Sequence, residues 1–373
     1  MYWTELFWPS VGGVEVHAQN FVRDMYQRGH TFMVITGHGS VSLPDEAHYL
    51  GVPVYRFRCR EAIEQGDLEL ISSIARRIGA LKDTFRPDVV QINFSGPGAF
   101  FHLHTLQHAP SSTLTYFHVG LRHRVGRGLL DKLLRCSRKV VANSKAVRDD
   151  VRQMVPGNLS RIRVVYPGLK EPALAPAPLP FSPPQLLCVG RLVRDKGMDI
   201  AVRALHLVVG RFPGTRLVIA GDGPARSQLE HLVRELGLEV QAMFSGWVAP
   251  EMIPTIINTS TLVMVPSRVR EAFGLVALQA GQMGRPVIAS RTGGLPELVV
   301  DGETGILVTP DSPGALAQAV LWLLSHQQAA RDMGQAGRER AETEFGWERH
   351  LDAFDQVYRG LAGNHEVTES NRF

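Results

Sequence analysis

Two stretches of the chain bring together residue types able to hold a phosphorylated ligand. The first is PSRVREAFGLVALQAGQMGRPVIASRTGGLPELVVDGETGILV, residues 266–308. The apolar run TLVMV at 261–265 reads as a buried parallel strand, short and β-branched. Pro266 and Ser267 end it, and Glu271-Ala272-Phe273-Gly274 turns the chain into a helix over 275–283. Amides at a helix start lack intrahelical acceptors and carry partial positive charge. With Gly274 allowing close approach, they form a cradle for a phosphate. Glu271, a few residues earlier, can reach whatever is attached to that phosphate. An anion cradle beside a hydroxyl-binding carboxylate is the recognition chemistry a nucleotide-sugar needs. The second stretch, GRLVRDKGMD at 190–199, sets Arg191 and Lys196 around a turn ahead of another helix. Cations at a helix start oppose its dipole, so a merely solvated role fits them badly. Beside a developing phosphate charge they would act by electrostatic stabilisation in place of a metal.

Together these residues resemble the donor-site signature of the family 4 glycosyltransferases. The resemblance implies the GT-B fold, an α/β architecture of two Rossmann-like doubly wound parallel-sheet domains facing across a cleft. It also implies a retaining, metal-independent hexosyltransferase that moves a sugar from a nucleoside-diphosphate sugar to an acceptor hydroxyl. The product would be a polysaccharide, a glycolipid or a small-molecule glycoside. Arg191 and Lys196 would grip the donor diphosphate, and Glu271 would orient the donor sugar. Gly190 and the backbone of Ala272, Phe273, Gly274 and Leu275 would line the phosphate path. Members of the family carry a second glutamate, after seven intervening residues, that holds the ribose hydroxyls; here that position is Gln279. Gln279 keeps an acceptor and two donors but loses the charge-assisted bond, so weaker nucleotide binding is expected rather than none. No cofactor and no metal is expected.

Further site residues follow from the same resemblance. Gly12 and Gly13 precede a helix with apolar positions Val14, Ala18, Phe21, Val22 and Met25. Their loop would lie in the cleft near the donor phosphates and acceptor, although a strand–helix turn needing positive φ is the plainer explanation. His118, after a strand over 112–117, matches a cleft histidine that contacts the donor sugar; on its own it could equally end a strand without a role. His17 reads as an ordinary helix residue. Gly246-Trp247-Val248 resembles the family's nucleobase contact, with Trp247 alternatively a core aromatic. Gly221-Asp222-Gly223 hints at a dinucleotide fingerprint, but Arg226 stands where the third glycine belongs.

The elements that must position these residues alternate between strand and helix along the chain, as in parallel doubly wound sheets. Only a few residues precede Trp8-Pro9, so the first strand is short or its start lies upstream. Residues 1–170 read as an acceptor-binding domain and 185–345 as the donor-binding domain. The segment EPALAPAPLPFSPP at 171–184 reads as a semi-rigid linker. The final helix and tail, 346–373, are expected to cross back to the first domain.

A chain of 373 residues suits two domains, and 44% hydrophobic with 20% charged residues suits a globular protein. No apolar run reaches the ~20 residues of a membrane span, and no secretory leader is evident. Cys59, Cys136 and Cys188 lack metal-ligand spacing and fit a reducing compartment, the cytoplasm by default. Charge is uneven: residues 1–170 hold 22 Lys and Arg against 14 Asp and Glu. The basic run LRHRVGRGLLDKLLRCSRK at 121–139 interleaves Arg122, Arg124, Arg127, Lys132, Arg135, Arg138 and Lys139 with leucines. It reads first as a packed surface helix, and secondly as a contact for anionic lipid at the inner membrane face or for a phosphate-bearing acceptor. The expected partners are the donor and an acceptor glycan, lipid or small molecule; no nucleic acid is expected. Two other functions remain open on these residues. A nucleotide-sugar epimerase on the same fold would need paired carboxylates, of which no convincing pair is seen, and a non-catalytic nucleotide-sugar-binding protein would account for Gln279.

Overall fold

A computed structural model describes residues 1–39, 43–94, 96–118, 127–154 and 162–362. The chain forms two compact units: Met1–Tyr166 with the chain from Glu348 on, and Pro167–Trp347.

The first unit opens with β1 (Tyr2–Trp3), α1 (Gly13–Gln27), β2 (Val34–Thr36), β3 (Glu46–Tyr49) and β4 (Val52–Arg56). It continues through α2 (Cys59–Gln65), α3 (Leu68–Phe85), β5 (Val89–Asn93), α4 (Gly98–His104) and β6 (Ser112–Phe117). Then come α5 (Arg127–Cys136), β7 (Ser137–Ala142), α6 (Lys145–Met154) and β8 (Ile162–Val164). Among the described residues, eight strands run in the order β3-β4-β2-β1-β5-β6-β7-β8. All pairings are parallel except β3 with β4, a hairpin turned at Leu50 and Gly51, both with positive φ. Although β1 has only two residues, it is central, pairing in parallel with β2 and β5.

In the second unit, β9 (Gln185–Val189), α7 (Met198–Val209), β10 (Arg216–Ala220), α8 (Arg226–Glu235), β11 (Ala242–Gly246) and α9 (Ile253–Asn258) form one half. The other half is β12 (Leu262–Val265), α10 (Leu275–Gln282), β13 (Val287–Ser290), α11 (Leu295–Leu298), β14 (Gly305–Val308), α12 (Pro313–Ser325) and α13 (Gln327–Glu344). The all-parallel order β11-β10-β9-β12-β13-β14 reverses direction between β9 and β12. Ligands of doubly wound sheets bind outside the carboxyl ends of the strands at such a switch point. Leu186, Cys188, Leu217, Ile219, Leu262 and Met264 supply the sheet side of the core, against Ile200, Ala204 and Leu205 of α7. The two parallel-sheet α/β units are the expected fold class.

Three local readings of the sequence are corrected. The basic segment is not one helix through 139: α5 ends at Cys136 and Ser137 starts β7, so Arg138 and Lys139 lie on a strand. Leu130, Leu133 and Leu134 are buried in the core, leaving Lys132, Arg135, Arg138 and Lys139 exposed. Residues 121–126 of that segment lie outside the described residues, as does 363–373 of the tail. The division between units falls at Tyr166 and Pro167, and 171–184 belongs to the second unit. Two side chains tie that segment down. Asn258 accepts from the Ala177 amide (2.7 Å) and donates to the Ala175 carbonyl (3.0 Å), while buried Arg285 donates to the Ala177 carbonyl at 2.8 Å.

The chain re-enters the first unit through α14 (Trp347–Ala362). Phe354 of this helix meets Phe21 of α1 edge-on at 5.0 Å, and His350 Nδ1–H donates to the Tyr166 carbonyl at 2.8 Å.

Candidate functional site

The loops after β9 and β12 leave adjacent strands at the switch point, and they carry the two motifs. After β12, Pro266 and Ser267 lead into 268–274, and α10 begins beyond Gly274, whose φ is 108°. After β9, Gly190 and Arg191 lead into a one-turn 3-10 helix, Arg194–Lys196, and then α7. Gly197 joins the turn to α7 with φ 67°, and a Cβ there would fall 2.0 Å from the Pro266 carbonyl oxygen. Only glycine lets the two loops touch in this way.

That contact brings Lys196 onto Glu271. Lys196 Nζ donates to both carboxylate oxygens, at 2.8 and 2.7 Å, and Ser267 Oγ donates to Oε2 at 3.0 Å. Glu271 is itself backed by the Gly293-Gly294 turn: the Gly294 amide donates to its carbonyl at 2.8 Å. A Cβ on Gly293 (φ 58°) would stand 2.0 Å from that same carbonyl oxygen. Arg191 is exposed, and its guanidinium makes no hydrogen bond or ion pair with another described residue. The site therefore presents one free guanidinium, one paired ammonium and a half-buried carboxylate beside the start of α10.

The remaining expected residues of this unit line the same edge of the sheet. The Gly190 amide donates to the Ala220 carbonyl (2.9 Å) and the Gly221 amide to the Gly246 carbonyl (2.8 Å), so the loops after β9, β10 and β11 stand side by side. Gly246, Trp247 and Val248 thus lie about two strand spacings, roughly 10 Å, from the β9 loop. Trp247 is 62% exposed, which excludes the core-aromatic reading and leaves its ring face open for stacking. Ala272 is half-buried, and the Phe273 ring is buried against Phe345 at 5.7 Å, so only the backbone of Phe273 can meet a ligand. Gln279 lies half-buried on α10, one helical turn beyond Leu275, and its side chain has no hydrogen bond to another described residue.

Gly12, Gly13 and His118 belong to the first unit. Gly12 precedes α1 with φ −168°, extended backbone open to any residue, so a need for positive φ does not explain it. The Glu15 carboxylate folds over it: a Cβ on Gly12 would meet Oε2 at 2.2 Å. His118 follows β6, half-buried, with its ring 5.7 Å from Tyr116 and its carbonyl accepting from Asn143 Nδ2 at 3.2 Å. Burial pushes its imidazole down to about 4, so it stands neutral near pH 7.

Sequence reasoning missed Arg268, which lies inside the spacer between Ser267 and Glu271. Its guanidinium donates to Asp199 Oδ1 and Oδ2 at 2.6 and 2.5 Å, to Asp311 Oδ1 at 2.8 Å and to the Arg194 carbonyl at 3.1 Å. Burial disfavours the Asp199 carboxylate, but the Arg268 hydrogen bonds and charge outweigh it and hold its pKa below the ordinary value. The available signal was placement: Arg268 and Asp199 each fall within one of the two dense motifs.

Two family models match the chain. "Glycosyltransferase Family 4" matches residues 11–171, and "Glycosyl transferases group 1" matches residues 174–340. The chain is 32% identical over 229 residues to a glycogen synthase of Mycobacterium tuberculosis, covering 61% of this chain and 55% of that protein. It is 34% identical over 250 residues to an alpha-maltose-1-phosphate synthase of Mycolicibacterium smegmatis, covering 60% and 63%. The chain spans about half the length of the curated relatives it matches. Among solved structures it resembles a sucrose-phosphate synthase from Thermosynechococcus elongatus, at TM-score 0.84 and 24% identity over 97% of this chain and 98% of the other.

Proposed function

We propose, for a chain that has the GT-B fold and belongs to glycosyltransferase family 4, that it transfers a hexose from a nucleoside-diphosphate sugar to an acceptor hydroxyl. Transfer proceeds with retention and without a metal. One observation carries the reading: Lys196 is held on Glu271 by two hydrogen bonds, next to an unpaired Arg191, at the switch point of the second sheet.

In this account the α10 amides receive the diphosphate and Trp247 stacks on the base. Arg191 and Lys196 take the charge that develops as the bond from the anomeric carbon to the phosphate oxygen breaks. Glu271, released from Lys196 in part, accepts hydrogen bonds from the sugar hydroxyls. The acceptor oxygen bonds to the anomeric carbon on the face the phosphate leaves, and its proton passes to the departing phosphate oxygen. Gly12, Gly13 and His118 take the roles the family resemblance gives them, at the phosphates and the sugar. A neutral His118 suits a hydrogen-bonding part rather than that of a cation.

The experiment is donor hydrolysis, the slow transfer to water that such enzymes carry out without acceptor. UDP-glucose, GDP-mannose and ADP-glucose are each incubated with the protein in EDTA and followed by proton NMR. The reading predicts release of the α-sugar with one donor. Initial release of the β-anomer removes retention, and dependence on added divalent cation removes metal independence. The exposed Lys132, Arg135, Arg138 and Lys139 also support an electrostatic contact with anionic lipid or a phosphate-bearing acceptor, while Leu130, Leu133 and Leu134 are turned into the core. No helix among the described residues is long and apolar enough to cross a membrane.

A further inference from the structure

Lys196 sits on a poor foundation. Its 3-10 turn has three residues, closed by the Lys196 and Gly197 amides to the Val193 and Arg194 carbonyls at 3.0 and 3.1 Å. So short a turn has little stability of its own. The helix that follows has Gly197 at its N-cap and no side-chain cap. Yet to meet a phosphate and Glu271 together, Lys196 must be held within about 0.5 Å of its place.

Arg268, 69 residues beyond Asp199, supplies the missing support. Its amide donates to the Asp195 carbonyl at 2.8 Å, and its side chain forks onto Asp199 and reaches the Arg194 carbonyl. The clasp therefore holds the turn at Arg194 and Asp195 on one side of Lys196 and at Asp199 on the other. A third arm, to Asp311, anchors the guanidinium to the segment after β14. Arg268 is not itself a phosphate ligand. Of its five N–H donors, four already point at Asp199, Asp311 and the Arg194 carbonyl.

We propose that Arg268 is the positioning residue of the phosphate grip: by clasping Asp199 and the Arg194 carbonyl it fixes the 194–197 turn so that Lys196 is poised over Glu271 before a ligand arrives. The inference rests on the reading of this edge as a nucleoside-diphosphate site. A turn held in its bound geometry loses less freedom on binding, so the clasp adds affinity for the diphosphate specifically. It does nothing for the base, which meets the separate loop after β11.

The test compares the intact protein with Arg268→Gln, Arg268→Lys and Asp199→Asn. Hydrogen exchange is followed in peptides covering 190–199 and 266–274, without ligand. Affinities are measured for UDP, GDP and ADP and for uridine, guanosine and adenosine. In Arg268→Gln, exchange at 190–199 should accelerate while peptides of the first unit stay as they were. Affinity for the preferred diphosphate should fall ~10-fold, as expected for lost charged hydrogen bonds, with that for its nucleoside unchanged. Arg268→Lys should lie between, since a single ammonium cannot fork. Asp199→Asn should reproduce the effect with Arg268 in place, and it carries the test if Arg268→Gln does not fold. Unchanged exchange at 190–199, or equal loss of diphosphate and nucleoside affinity, overturns the proposal. If the intact protein binds none of the six compounds, the donor reading fails and the exchange result alone decides whether the clasp exists.

Discussion

Lys196 and Glu271, 75 residues apart in the chain, share two hydrogen bonds of 2.8 and 2.7 Å across the loops after β9 and β12. The pair sets a cation and an anion side by side, and under the proposed function the donor's phosphates would use the one and its sugar hydroxyls the other. As a partly exposed ion pair it contributes about 0–1 kcal/mol to stability. Lys196→Met should thus leave the denaturation midpoint nearly unchanged. Nucleoside-diphosphate affinity should fall by roughly 10- to 100-fold, the value of a charged hydrogen bond to phosphate. Calorimetric titration beside urea denaturation separates the two, and a large stability loss with intact affinity would make the pair structural.

Gln279 offers a gain-of-function test. Glu at that position would restore a charge-assisted acceptor for a ribose hydroxyl, and such bonds are about twice as strong as neutral ones. Gln279→Glu should tighten the preferred nucleotide several-fold and leave inorganic pyrophosphate binding alone. Weaker nucleotide binding by this variant would show that α10 does not face the ribose.

Arg285 is 1% exposed and donates to the carbonyls of Ala177, Ile257 and Asn258 and to the Asn258 side chain. Burial lowers its guanidinium pKa to about 10, still charged at neutral pH. Arg285→Met strands several buried acceptors and frees 175–177, so it should cost at least ~2 kcal/mol in urea denaturation of the second unit. A cost under half of that would mean water replaces the guanidinium without loss.

In the first unit, burial pushes the His350 imidazole down to about 4, only partly offset by its bond to the Tyr166 carbonyl. An unfolded histidine titrates near 6.5. Below that pH the unfolded chain binds the proton first, so the stability held by neutral His350 is complete above 6.5 and drains away as pH falls toward 4. The amount is of order 3 kcal/mol, and His118 adds a similar slope. His350→Gln keeps an N–H for Tyr166 but cannot titrate. Urea midpoints of the first unit between pH 7 and 4.5 should fall less steeply in this variant, whereas an identical slope would place the acid sensitivity elsewhere.

How much the sequence disclosed follows from where each element's stability comes from. Strands such as β9 and β12, covered on both faces, are unbroken apolar runs and stood out. The β3 edge strand, half-exposed and antiparallel, has no such run in EAHY and was not seen. The junction of α5 and β7 carries no glycine or proline between Cys136 and Ser137, so the basic helical pattern reads on into the strand. Composition suggests a semi-rigid linker at 171–184, but the partners that tie it to the second unit, Asn258 and Arg285, lie some eighty or more residues on. Arg191, Lys196 and Glu271 were legible because charge beside a glycine turn is a local signal. Arg268 was not, since its meaning depends on Asp199, which only the folded chain brings within reach.

The proposed role of the Arg191–Lys196–Glu271 edge is to bind a nucleoside diphosphate, the leaving group of a sugar donor. The most direct measurement is isothermal titration of UDP, GDP, ADP, TDP and CDP into the protein in EDTA, repeated with Arg191→Ala and Lys196→Ala. The account predicts saturable binding of one of them without metal, weakened by roughly 10-fold or more in either variant. Binding of none, or binding that both variants leave intact, would contradict it.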